Sequence, residues 1–301
     1  MEGLIVRLQS GFFTVATAQG RVTCRLRGRL KQGRQHGDIA ALGDRVEIHR
    51  LPDGSGMIEA VEPRGKALTR LAPLPHGEYR QILIANPDQL MLIFACAQPE
   101  PRLRMLDRFL VIAEKEKLPA IIVANKVDLV GLERAHQIYG HYEPLGYPVL
   151  YTSSKTRLGL EGLHQRLLGR ISAFTGPSGV GKSSLLNAIQ PQLGLAVNDV
   201  SEANRKGKHT TVVRELYPLA DGGYIADTPG IKALALWDTE PEELDGYFPE
   251  LRDLVSQCQF NDCSHRSEPG CAVQQAVAGG RVHPERYRSY IRMRYGDENK
   301  E

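Results

Sequence analysis

Hydrophobic and polar positions alternate in short stretches over the first sixty-odd residues: Leu4 to Thr17, Arg21 to Arg27, Asp44 to Arg50 and Met57 to Val61. A period of two predicts strands with one buried face. Turn-forming runs such as Pro52-Asp53-Gly54-Ser55-Gly56 separate them. Short strands with no helical stretch between them predict a small barrel, of which the OB-fold is one form. After Pro63-Arg64-Gly65-Lys66 the texture changes. Apolar runs (Leu90 to Ala97, Ala120 to Ala124, Val149 to Thr152, Ile171 to Thr175, Gly223 to Ala226) alternate with helical patterns near Met105 to Lys117, Leu160 to Leu168 and Lys182 to Ile189. This alternation predicts a mostly parallel sheet covered by helices on both faces. From about Trp237 the chain reads as helical, ending in the basic and aromatic stretch Pro284 to Tyr295. The expected organisation is a barrel over 1–66, an α/β domain over 67–236 and a helical domain over 237–301.

Apolar residues at 42% and charged residues at 24% exclude a generally disordered or fibrous chain. The longest apolar run, Leu90 to Ala97, falls well short of the ~20 residues that span a bilayer. Met1 to Arg7 lacks the basic head and apolar core of a secretory signal. A monomeric cytoplasmic protein with no membrane association is expected. The net charge of +3 is mild, but residues 1–66 hold eleven Lys/Arg against seven Asp/Glu, including Arg25-Leu26-Arg27-Gly28-Arg29-Leu30-Lys31. That excess suits either a polyanion-binding surface or a solvated strand face.

Gly176-Pro177-Ser178-Gly179-Val180-Gly181-Lys182-Ser183 fits G-x-x-x-x-G-K-[ST]. An apolar strand precedes it, and an amphipathic helix follows through Ser184-Leu185-Leu186-Asn187. Glycines let backbone N–H groups close around phosphate, and the helix N-terminus adds its dipole. Lys182 is expected to reach the β and γ phosphates, and the Ser183 hydroxyl to ligate Mg²⁺. Asn125-Lys126-Val127-Asp128 follows the strand Ile121 to Ala124. A carboxylate at Asp128 can accept from N1–H and the 2-amino group of guanine, whereas adenine would leave it desolvated and unpaired. Asn125 is expected to address the base and tie loops together, with the Lys126 stem packed on the ring. Thr152-Ser153-Ser154-Lys155 resembles a further guanine-contacting loop usually written S-A-K, with Ser154 in place of Ala.

Asp227-Thr228-Pro229-Gly230 has the D-x-x-G pattern, with Asp227 in the Mg²⁺ shell and the Gly230 N–H on the γ-phosphate. Upstream, Gly207-Lys208-His209-Thr210-Thr211 lies where a switch threonine belongs. Spacing does not decide whether Thr210 or Thr211 ligates Mg²⁺. In conventional GTPases the phosphate loop comes first; here the base-reading loops precede it, so the chain is circularly permuted. Loops at one end of a single sheet can still assemble in space. Ile231 stands where many GTPases place a Gln to orient the attacking water. His209 either takes over that task or is an exposed loop histidine.

Cys258-x4-Cys263-x-His265-x5-Cys271 places three thiols and one imidazole within fourteen residues. Four such ligands suit one closed, structural Zn²⁺ site with no position left for water. Cys24 and Cys96 fall in strand-like segments and read as inert core residues.

The whole constellation resembles the ribosome small-subunit-dependent GTPase family, the RsgA/YjeQ group. The likeness rests on the barrel, the permuted motif order, Gly179 to Asn187, Gly207 to Thr211, the Cys258/Cys263/His265/Cys271 cluster and Arg286-Tyr287-x-Ser289-Tyr290. It implies an OB-fold, a permuted GTPase domain and a zinc domain. It also implies late maturation of the small ribosomal subunit, rRNA contact, and GTP hydrolysis stimulated by that subunit. The residue equivalent to His209 is implicated in hydrolysis in that family. Pro177, Ile231 and Val212 depart from residues frequent there (Gln, Phe and Thr). The resulting expectation is a GTP hydrolase that docks through its barrel and its basic C-terminal helix. The rivals are a nucleotide-regulated binding switch with no ribosomal partner, and a P-loop kinase, which Asp128 and the Thr210/Thr211 pair disfavour.

Overall fold

The computed structural model describes residues 1–31, 37–71, 79–195, 214–227 and 239–296. Five strands form the N-terminal barrel: β1 (Glu2–Gln9), β2 (Phe12–Thr17), β3 (Gly20–Leu26), β4 (Arg45–Arg50) and β5 (Gly56–Val61). The order β1-β2-β3-β5-β4 closes on itself through a β1–β4 ladder, with only the β3–β5 pair parallel. Alternate side chains, among them Ile5, Val15, Val22, Val46 and Ile58, fill its interior. The Leu4 to Thr17 stretch, expected as one run, is a hairpin. Ser10 and Gly11 both adopt left-handed backbone (φ 50° and 80°), which turns the chain.

Another hairpin, β6 (Ala67–Leu71) with β7 (Arg80–Ala85), follows. The α/β domain then runs through β8 (Gln89–Ala95), α1 (Leu103–Lys115), β9 (Ala120–Asn125), α2 (Leu132–Tyr139), β10 (Val149–Tyr151), α3 (Leu160–Leu167), β11 (Ile171–Thr175), α4 (Lys182–Ile189), β12 (Arg214–Pro218) and β13 (Tyr224–Asp227). Its strand order is β10-β9-β8-β11-β13-β12, parallel except for β12. β8 shows why its sequence is apolar throughout. Leu90, Leu92 and Phe94 face a core shared with Leu106, Phe109 and Leu110 of α1, while Met91, Ile93 and Ala95 face Leu163 of α3 and Leu185 of α4. A strand covered on both faces has no polar side to show. β12 also pairs antiparallel with β1 (Arg7 with Glu215, Leu8 with Arg214), so barrel and domain share one continuous sheet.

Three further helices, α5 (Pro249–Val255), α6 (Ala272–Ala278) and α7 (Pro284–Tyr295), form the C-terminal lobe. Its core contains Phe248, Leu251, Val273 and Tyr290, and it also includes Val111 from α1. Among the described residues, no helix is long and apolar enough to cross a membrane. Cys24 and Cys96 are buried, and burial pushes their thiols up to about 11 and about 12.

Candidate functional site

The phosphate loop spans the step from β11 to α4, and its glycines are required by what surrounds them. A Cβ on Gly176 (φ 150°) would lie 2.0 Å from the Ile93 carbonyl oxygen. One on Gly181 (φ 93°) would lie 2.5 Å from Asn125 Nδ2. The second approach is informative, because Asn125 belongs to the base-reading segment. Its fully buried side chain donates from Nδ2 to the Val180 carbonyl (2.8 Å) and accepts at Oδ1 from the Thr152 hydroxyl (3.2 Å). Lys126, in left-handed backbone, donates from Nζ to the carbonyls of Gly179 (2.7 Å) and Gln98. Asp128 Oδ1 accepts from the Ser153 hydroxyl at 2.5 Å, and Ser153 Oγ accepts from the Thr156 N–H at 3.1 Å. Ser153 is buried, Ser154 half-buried and Lys155 exposed.

Loops far apart in the chain therefore meet at one end of the sheet. Lys182 Nζ curls back onto the carbonyls of Gly176 and Pro177 (2.9 and 2.8 Å), and Ser183 and Ser184 stand in the first turn of α4. Asp227 ends β13, which lies parallel to β11 with Phe174 in register with Asp227. His209, Thr210, Thr211 and Gly230 lie outside the described residues. The Gln98 carbonyl has no signature in the sequence, because a backbone acceptor carries no residue-type signal.

The lobe brings Cys258, Cys263, His265 and Cys271 together, with one ligand atom from each within 4.8 Å of the others. His265 turns Nδ1 toward the sulfurs of Cys271 (3.5 Å) and Cys258 (3.6 Å), while Nε2 faces Asp245 Oδ2 at 3.7 Å. A carboxylate behind a ligating imidazole is the usual outer partner of a metal-bound histidine. Burial pushes the Cys263 thiol up to about 12, so thiolates here call for a cation among them. The donor set fits one tetrahedral ion such as Zn²⁺.

The C-terminal helix departs from the expected basic surface. Arg286 is completely buried, bound through Nη1 to Asp107 (2.7 Å) and through Nε and Nη2 to Glu250 (2.6 and 3.1 Å). Arg288 pairs with Glu285, and Arg294 meets the Tyr290 hydroxyl at 2.5 Å. The helix anchors the lobe through Arg286, while Arg288 and Arg292 stay exposed on its outer side.

The description RsgA GTPase matches residues 61–237, and the description RsgA N-terminal domain matches residues 2–58. This chain belongs to the RsgA GTPase family. The small ribosomal subunit biogenesis GTPase RsgA of Gemmatimonas aurantiaca is 47% identical over 97% of this chain and 96% of its own length. The protein of the same name from Moorella thermoacetica is 44% identical over 97% and 95%. Among solved structures, YjeQ from Thermotoga maritima covers 98% of this chain and 97% of its own at 38% identity, with a TM-score of 0.77. YloQ, described as a circularly permuted GTPase, covers 97% and 93% at 33% identity, with a TM-score of 0.73. Like its RsgA relatives, the chain is a GTPase; the permuted order and the OB-like barrel belong to the shared fold.

Proposed function

We infer that this protein hydrolyses GTP to GDP and phosphate in the maturation of the small ribosomal subunit. The observation that carries the reading is the double stitch between base-reading and phosphate-binding loops, Asn125 to Val180 and Lys126 to Gly179. These two hydrogen bonds tie the two loops to one another. Asp128, oriented by Ser153, reads the N1–H and 2-amino edge of guanine, and Ser154 and Lys155 complete that loop. The backbone from Gly176 to Gly181 and the first turn of α4 hold the phosphates, with Lys182 exchanging its two carbonyl partners for phosphate oxygens. Ser183, Asp227 and one of Thr210 or Thr211 would hold Mg²⁺, which supplies neutralising charge on the transferring phosphoryl group. Gly230 donates its N–H to the γ-phosphate. His209 orients the attacking water, a task that Ile231 cannot perform.

Cys258, Cys263, His265 and Cys271 would hold one structural Zn²⁺. The functional units are 1–66, 67–236 and 237–301. The barrel is the rRNA-facing unit: Arg25 lies over the exposed Phe12 ring at 4.5 Å, a cation and a flat apolar face side by side. The small-subunit assignment draws on the names of the relatives that cover nearly the whole chain; the reading takes the protein to act as a monomer in the cytoplasm. It displaces the ribosome-free switch, for which no observation speaks. The base assignment is tested by Asp128→Asn, which should move triphosphate preference from guanosine towards xanthosine; unchanged selectivity would overturn it.

A further inference from the structure

We propose that Arg286 is a positioning residue for the guanine site, holding α1 against the C-terminal lobe so that the loop before α1 keeps the Gln98 carbonyl on Lys126. The proposal rests on reading Asn125 to Asp128 as the guanine loop and the Cys/His cluster as a metal site.

Arg286 joins three elements. Its guanidinium reaches Asp107 on α1 and Glu250 on α5, and lies over the Phe248 ring at 4.5 Å. Asp107 Oδ1 also accepts from the Tyr142 hydroxyl at 2.7 Å, which ties in the segment after α2. Asp107 and Glu250 are themselves buried to within 1% and 4% side-chain exposure. A buried ion cluster of this kind is a poor source of net stability compared with apolar packing, yet losing its cation leaves two desolvated carboxylates. It therefore fixes a geometry more than it deepens a well.

The geometry in question is the seat of α1, which belongs to two cores at once. Leu106, Phe109 and Leu110 face the sheet, whereas Asp107, Val111 and Glu114 face the lobe, Glu114 accepting from Arg252 at 2.9 Å. At its start α1 is fed by the loop from Gln98 to Arg102, and the Gln98 carbonyl is one of two acceptors of Lys126 Nζ. At the other end of the chain of contacts, Tyr287, next to Arg286 on α7, donates its hydroxyl to the His265 carbonyl at 2.6 Å. One helix thus touches the metal cluster and the guanine domain on neighbouring residues.

An opening that frees the Cys/His ligands shifts α7, withdraws Arg286 from Asp107, and unseats α1 with the Gln98 loop. Guanine nucleotide favours the closed arrangement, and so does the metal. Two ligands that stabilise the same closed state bind with positive linkage, and the linkage is reciprocal.

The test uses the full-length protein loaded with zinc, and follows zinc release to the chromogenic chelator 4-(2-pyridylazo)resorcinol with and without saturating GDP. Wild type is expected to release zinc about fivefold or more slowly with GDP, the lower range of ordinary coupling. Arg286→Met should release zinc at the same rate either way, with Arg286→Lys restoring part of the GDP effect. A merely structural Arg286 would speed release in Arg286→Met while leaving the GDP ratio intact, and that result would overturn the proposal. So would a wild-type rate indifferent to GDP. Asp107→Asn, which keeps shape and removes the charge partner, should mimic Arg286→Met and serves if that variant does not fold. Direct titration of GDP and zinc on wild type keeps the cases apart: absent binding of either would remove the underlying assignment, whereas binding without linkage removes the coupling alone.

Discussion

Two arginine-rich stretches near opposite ends of the chain have opposite fates. In the barrel Arg25, Arg27, Arg29 and Lys31 all stay exposed, with Arg25 over Phe12 and the next two arginines sharing Glu59. In α7 Arg286 is engulfed, and Ser289 and Tyr290 are buried beside it. The spacing i, i+3, i+4 is that of a core-facing stripe, and Arg286 occupies an apolar position in it. Charge count alone therefore says little about where a cation resides. What decides is whether the helical period points it inward, and whether carboxylates such as Asp107 and Glu250 wait there.

The contrast can be broken by substitution at either end. Arg286→Met should cost about 3–5 kcal/mol in denaturant unfolding, because two carboxylates lose their cation in the interior; a cost below about 1 kcal/mol would mean the cluster is not desolvated in solution. Acid should expose the same interior. His141, stacked at 4.0 Å on His283, is pushed down to about 4 by burial and then by His283 and Arg286. A depressed histidine binds its proton in the unfolded chain first, so stability is full above about 6.5 and falls as pH drops towards 4, by up to about 3 kcal/mol. His141→Phe should flatten that limb of the stability curve; an unchanged slope would assign it to other groups.

The surface stretch should respond in the reverse manner. Phe12→Ala should weaken small-subunit binding by about 1–3 kcal/mol, the worth of one stacked base, with little change in unfolding. Arg25→Ala should lower the salt slope of that binding by about one, and a slope equal to wild type would remove Arg25 from the phosphate contacts. Glu59→Gln should leave the denaturant midpoint essentially unchanged, since its pairs with Arg27 and Arg29 are exposed and screened by solvent; a clear drop would mean that the pairs are structural.

Much of this was legible in the sequence wherever local spacing sets the structure. The phosphate loop, the Cys/His spacing and the Pro284 to Tyr295 helix needed no distant information. The hairpin turn at Ser10-Gly11 was hidden because Phe12 and Phe13 continue the apolar run across it. The β6–β7 hairpin and the short α2 carry too few periodic positions to stand out. Pairing of β12 with β1 joins Glu215 to Arg7, a register no local pattern encodes. In the nucleotide site the residue types were readable, but the carbonyls they grip (Val180, Gly179, Gln98) became visible only in three dimensions. The burial of Arg286 is not legible from residue type, which predicts a basic surface; only its place in the helical period beside Ser289 and Tyr290 points inward.

The most direct test of the central claim is GTP turnover by the purified protein, alone, with small ribosomal subunits and with large ones. Strong acceleration by small subunits and none by large ones is the expected result. Equal turnover under all three conditions would contradict it.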